Sequence, residues 1–341
     1  MADLRKEHTW LITTSLVIIA GVAIGVILLF ARSVLIPFVL AVFISLLVSP
    51  VLDLLVLRFR MPRALACLVT FLLVLVFIAV VCFLLTEAVQ TIISTAGRYG
   101  DSFANLMDRS FSYMEKLGIV PKRGQIDEIL REKIPGIVTN SFGTALDFLS
   151  SLFLVSIFAI FLLAGRNPHN VFQGVYADIN TKVRRYILTK VAVSTVTGLL
   201  VWIVLSLFKL ELAGVFGMFA FLLNFIPSVG SVVATLLPIP IAVAQFQNPW
   251  FIFMVVAVPG TIQMVAGNVI EPKLMGTGLN LHPVVILLAL SFWGLLWGIV
   301  GMFLAVPITA VIRIVLMQFE TLKPIGMLLA GKLPASETSP V

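Results

Sequence analysis

The chain has 341 residues, of which 60% are apolar and 11% charged, against roughly 45–50% and 25% in soluble globular domains. That balance excludes a water-soluble globular fold, and the continuity of the apolar runs excludes a β-barrel, whose strands alternate with period two. The surplus of 23 Lys and Arg over 16 Asp and Glu gives a net charge of +7, which in such a chain orients loops across a bilayer and does not point to nucleic acid.

At about 20 apolar residues per helical span, the charge-poor runs predict an all-α, polytopic membrane protein with about eight transmembrane helices. Arg5 and Lys6 precede a first span at residues 10–31, too long for the apolar core of a signal peptide. Arg32 and Ser33 form a minimal turn before a second span at 34–57, where Pro37 and Pro50 are expected to kink or end the helix. The loop Arg58-Phe59-Arg60-Met61-Pro62-Arg63 carries three arginines between two apolar runs, which places it and the N-terminus in the cytoplasm. A third span follows at 64–86. Its Cys67 and Cys82 lie about 22 Å apart along a helix, too far for a disulfide. Residues 1–86 thus form the N-terminal helices 1–3.

Composition changes sharply at Glu87. Residues 87–144 are rich in both charge signs and carry helical apolar stripes (Phe103, Met107, Phe111, Met114; Ile126, Ile129, Leu130, Ile134), predicting an extracytoplasmic helical insert. Residues 145–190 hold a fourth span, 145–164, and then an amphipathic helix whose Lys182, Arg184, Arg185 and Lys190 predict contact with anionic lipids along the cytoplasmic surface.

Residues 191–320 read as a transport core with two broken or re-entrant segments. Residues 212–270 contain no Asp, Glu, Lys or Arg, and prolines interrupt the whole stretch. Asn224-Phe-Ile-Pro227-Ser228-Val-Gly230 precedes Pro238, and Asn268-Val-Ile-Glu271-Pro272-Lys273-Leu-Met-Gly276 precedes Pro283, with the first prolines of the two sets 45 residues apart. Paired interruptions of this kind expose free backbone N–H and C=O groups to a substrate or ion, against the alternative of two ordinary proline kinks. Glu271 is the only acidic residue in 212–319. At membrane depth it is a candidate proton carrier, cation ligand or hydrogen-bond acceptor, unless Lys273 neutralises it in an interfacial loop. Gln263 and His282 complete the candidate binding set. Gly21 and Gly25 on the first span, and Gly294, Gly298 and Gly301 on the last, are candidate helix-packing residues. The tail, 321–341, is expected in the cytoplasm. Its Gly326–Leu333 stretch mimics a phosphate loop but puts Leu333 where Ser or Thr is needed. No cofactor, metal cluster or nucleophile–base set is predicted, so the chain does not read as an enzyme.

Four blocks carry a resemblance. Asn224–Ser231, Gly267–Gly276, Leu281-His-Pro283 and Trp293–Pro307 resemble the signature blocks of the autoinducer-2 exporter family of PerM-like permeases, in particular its TqsA-type members. The resemblance extends over nearly the whole chain. It implies a secondary transporter in a bacterial cytoplasmic membrane, assembled as a homo-oligomer, a pentamer, with a transport site in each protomer. It also implies either of two cargoes, since some members are assigned to export of the quorum-sensing furanone autoinducer-2 and others to exchange of sodium or another monovalent cation for protons.

Three functions are therefore carried forward. The first is export of autoinducer-2 or a similar small polar metabolite, coupled to protons, for which Asn224, Ser228, Gln263 and Asn268 supply amides and a hydroxyl. The second is a monovalent cation/proton antiporter using Glu271. The third is a non-transporting scaffold whose insert recruits partners.

Overall fold

The computed structural model describes residues 2–76, 79–80, 83, 86, 151–166, 173–246, 248–275 and 279–332. The insert expected at 87–144, Gly276 and the end of the tail lie outside the described residues. Every regular element among the described residues is helical. Four helices are long and apolar enough by composition to cross a bilayer, at Arg32–Arg58, Gly174–Leu207, Pro249–Met275 and Pro283–Leu316, and shorter apolar helices accompany them. The protein is a polytopic helical membrane protein.

Helix α1 (Ala2–Phe30) passes through Ala31 alone into α2 (Arg32–Asp53). Neither Pro37 nor Pro50 ends α2. Pro50 cannot donate to the carbonyl of Leu46 one turn back, and the hydroxyl of Ser49 donates to that carbonyl instead, at 2.9 Å. The chain then loosens into a π-helical turn, Leu54–Arg58, before the arginine loop. Helices α3 (Arg63–Val76) and α4 (Ser151–Gly165) pack beside α2 through Leu52, Ala66 and Leu163. Arg63 donates to the carbonyls of Ala164 and Arg166, capping the end of α4. Asp53 accepts from Arg166 at 3.0 Å and faces Arg184 at 3.7 Å. The end of α2, the residue after α4 and the outer part of α5 are thus tied to one carboxylate.

Helix α5 (Gly174–Leu207) corrects an expectation. The basic amphipathic segment and the span after it form one helix of 34 residues, because no proline separates them and their apolar faces are continuous. Lys182, Arg184 and Arg185 are on its outer part, whereas Lys190, expected at the lipid surface, is 3% exposed in the interior.

Helices α6 (Ala213–Leu223) and α7 (Val229–Leu236) form a re-entrant pair. At 11 and 8 residues they are about 16 and 12 Å long, far short of a 30 Å hydrocarbon core. The chain folds back between them so tightly that a side chain on Gly230 would collide with the carbonyl of Leu223. Against α5 the closest approach is made by Gly198 and Gly217, where a Cβ on Gly198 would lie 2.8 Å from the Gly217 oxygen. Pro238 separates α7 from α8 (Ile239–Gln245). Helix α9 (Pro249–Val265), capped by Asn248, runs through a π-helical turn at Ala266–Ile270 into the short α10 (Glu271–Met275). The second predicted break, around Asn268 and Pro272, is therefore a widened turn in a continuing helix.

The second reversal is at Gly298. Helix α11 (Pro283–Leu316) contains a non-helical residue there, φ 65° and ψ −144°. A Cβ on Gly301 would collide with the carbonyl of Trp293, and Gly294 faces Met302, so the arms on either side of Gly298 run antiparallel. Gly298 is the tip of a hairpin and not a point along one straight span, and Gly294 and Gly301 lie where its two arms approach each other. The tip is pinned by the Trp297 indole, which donates to the Leu28 carbonyl of α1 at 3.0 Å. Gly21 and Gly25 meet nothing within 4 Å in the described chain. Helix α12 (Lys323–Leu329) returns to the start of α11, where the backbone N–H of His282 donates to the Leu329 carbonyl.

Candidate functional site

The α6–α7 reversal leaves polar backbone and side chains inside an apolar fold. At the α6–α7 turn, Ser228 has φ 61° and ψ −55°, and the N–H of Val229 donates to the Pro227 carbonyl at 2.6 Å. These are the marks of a γ-turn, a strained reversal. The turn is held from both sides. Asn224 donates through Nδ2 to Ser194 Oγ of α5 at 3.0 Å, and the ring of Phe225 stacks on Phe303 of α11 with centroids 4.5 Å apart.

A cavity of 460 Å³ opens beside this turn, between α5, α7, α9 and the π-helical turn. Asn224, Pro227 and Ser228 line it from the reversal, Ser231 and Thr235 from α7, Gln263 from α9, Asn268 from the π turn, and Glu271 from the start of α10. Both polar atoms of the Gln263 side chain are buried without a hydrogen-bond partner among the described residues. An amide with unmet donors and acceptor at a cavity wall is a costly arrangement unless a ligand satisfies it.

Glu271 is paired. Lys190 Nζ donates to its two carboxylate oxygens at 2.7 and 2.8 Å, with the side chains 3% and 15% exposed. Lys190 also lines the cavity. The sequence pattern places it at the lipid surface because it continues the basic series of Lys182, Arg184 and Arg185. The overlooked signal is that its neighbours in sequence, 191–207, are purely apolar and polar-uncharged, which puts this last cation at membrane depth. Lys273, the sequence-adjacent candidate to neutralise Glu271, is exposed, as is Pro272.

The remaining candidates lie apart. Gly230 buttresses the reversal from behind. His282 caps α11, its Nδ1 accepting from the Val284 N–H at 3.3 Å, and its ring packs next to Gly331, away from the cavity. Among the described residues no group of three or more His, Cys, Asp or Glu is placed to hold a metal ion.

A cavity of this size, enclosed by interrupted helices and lined by amides, hydroxyls and one ion pair, is the form of a small-molecule site. The sequence matches the AI-2E family transporter profile over residues 16–320. The AI-2 transport protein TqsA of Escherichia coli K12 is 32% identical over 316 residues, covering 88% of this chain and 90% of that protein. A relative from Haemophilus influenzae is 32% identical over 344 residues, covering 92% of this chain and 93% of its own. A relative from Borreliella burgdorferi is 34% identical over 208 residues, 57% of this chain and 58% of its own. With the family profile spanning the α6–α7 reversal and the cavity beside it, the chain belongs to the AI-2E family of membrane transporters.

Proposed function

We propose that the protein exports a small, uncharged, hydroxyl-bearing metabolite, autoinducer-2 or a close analogue, across the bacterial inner membrane through the cavity at the α6–α7 reversal, coupled to protons. The observation that carries this reading is the unpartnered amide of Gln263 on a wall whose one carboxylate is already neutralised by Lys190. A neutral solute rich in donors and acceptors satisfies such a wall, whereas a cation meets an ammonium. The name of the Escherichia coli relative supports the same cargo.

In this reading the substrate hydrogen-bonds to Gln263, Asn224, Asn268 and the hydroxyls of Ser228 and Ser231. The loops bearing Arg58, Arg60 and Arg63 and the outer part of α5 lie at the cytoplasmic surface, with Lys182 and Arg185 near anionic lipid. The protein acts as a homo-oligomer, with the open Gly21/Gly25 face of α1 available to a second copy.

The test is flux in liposomes of purified protein, with autoinducer-2 and sodium measured side by side. Autoinducer-2 flux is expected, and Gln263→Leu is expected to abolish most of it while the protein stays folded. Sodium exchange without autoinducer-2 flux would overturn the proposal.

A further inference from the structure

The Lys190–Glu271 pair also bears on what the cavity refuses. A carboxylate at membrane depth is a ready cation site, and other oxygen-bearing side chains line the same cavity. Glu271 contributes two oxygens, and Asn224 retains its Oδ1 because its Nδ2 is committed to Ser194. The Gln263 amide adds an unengaged oxygen on the same wall. What stands at the carboxylate instead is the ammonium of Lys190, 2.7 Å from Oε1 and 2.8 Å from Oε2. It brings the single positive charge that a bound cation would bring, and it is tethered to α5. A second cation entering the cavity meets a carboxylate without spare charge and an ammonium that repels it.

We infer that Lys190 is a specificity-determining residue, a built-in counter-ion that keeps monovalent cations off Glu271 and reserves the cavity for uncharged solutes. The inference rests on the cavity being the transport site. It predicts that cation selectivity is separated from this protein by one charge. Removing that charge leaves Glu271 buried and uncompensated, a state that recruits a cation to replace the one lost.

The experiment compares wild type, Lys190→Met, Lys190→Arg and the double variant Lys190→Met/Glu271→Gln as purified full-length proteins. Thermal unfolding is followed against sodium concentration with choline as the ionic-strength control, and sodium-driven proton movement is followed in liposomes. Wild type and Lys190→Arg are expected to show no sodium-specific shift. Lys190→Met is expected to gain a saturable sodium-dependent stabilisation, with apparent affinity at least about tenfold above wild type, corresponding to one factor of ten in binding constant. The double variant is expected to lose it. If Lys190→Met does not fold, Lys190→Gln, which keeps a donor facing Glu271 without the charge, takes its place. A wild type that binds sodium as tightly as the variant, or a folded Lys190→Met and Lys190→Gln without sodium dependence, would overturn the inference. Failure of the export reading looks different, because autoinducer-2 flux would be missing in wild type while the sodium gain in the variant remained.

Discussion

The indole nitrogen of Trp293 donates to the hydroxyl of Thr309 across 3.3 Å, although the two are 16 residues apart in sequence. A straight helix would separate them by about 24 Å. The bond is possible because the chain turns back at Gly298, and Thr309 in turn donates to the Ala305 carbonyl at 2.7 Å, so the bond network stays within the buried seam of the hairpin.

Substitution of the hairpin glycines should follow their geometry and not their spacing. Gly298→Ala finds open space for its Cβ, but its positive φ with ψ −144° lies close to backbone that only glycine adopts readily, and a loss of about 1–3 kcal/mol is expected. Gly301→Ala drives a methyl into the Trp293 carbonyl and should be at least as damaging. Gly294→Ala meets the flexible end of Met302 and should be mild. Thermal unfolding in detergent ranks the three, and a Gly294→Ala as harmful as Gly301→Ala would contradict the hairpin.

Ser228 separates stability from transport. Its γ-turn backbone strains any residue with a Cβ, so Ser228→Gly should stabilise the protein by about 1 kcal/mol. The same change removes a hydroxyl from the cavity and should weaken substrate binding. A rise in melting temperature together with a rise in KM is the expected pair of results, and a fall in melting temperature would argue against strain at this turn.

Much of this was legible in the sequence, and the reasons for the rest are physical. Asn224-Phe-Ile-Pro-Ser-Val-Gly announces a reversal because proline, a polar turn residue and glycine converge within seven positions of an apolar run. The Gly298 reversal carries no proline, and GLLWG on an apolar background has the pattern of a packing face. Its length was the available clue, since 34 residues make about 51 Å of straight helix where about 30 Å of hydrocarbon must be crossed. Glu271 stood out as a lone carboxylate. Its partner did not, because the pairing joins residues 81 apart in sequence and no local periodicity reports such a contact. The break expected near Pro272 was absorbed by a π-helical turn, which lets the helix shed one register without ending.

Gln263 offers a test that is independent of any flux assay. Because its amide has no partner among the described residues, Gln263→Leu removes a buried polar cost and breaks no hydrogen bond seen there. The variant should unfold at the same temperature as wild type or higher while losing substrate binding. A marked destabilisation would mean that the amide has a structural partner.

Asp53 is expected to hold the end of α2 against Arg166 after α4 and Arg184 of α5. Asp53→Ala leaves Arg166 and Arg184 without the carboxylate that pairs with both, and a loss of about 1–3 kcal/mol follows from removing one end of a charge-assisted hydrogen bond and its neighbouring ion pair. Added salt should recover part of that loss by screening the two arginines. Unfolding of the variant at low and high ionic strength checks both statements.

Orientation is testable in intact cells with an impermeant thiol reagent. Arg60→Cys should be protected, on the cytoplasmic side, and Arg109→Cys, in the insert outside the described residues, should be labelled. The reverse pattern would invert the topology.

The buried ion pair has an electrical consequence. Lys190 and Glu271 together contribute no net charge to the wall of the cavity, so the loaded and empty forms of a carrier with an uncharged cargo differ in no charge that the membrane potential can act on. That potential is worth about 2.3 kcal/mol per elementary charge per 100 mV. On the export reading, the pair and its uncharged cargo add no voltage dependence to substrate loading, and a steep dependence of that step would point to a charged cargo.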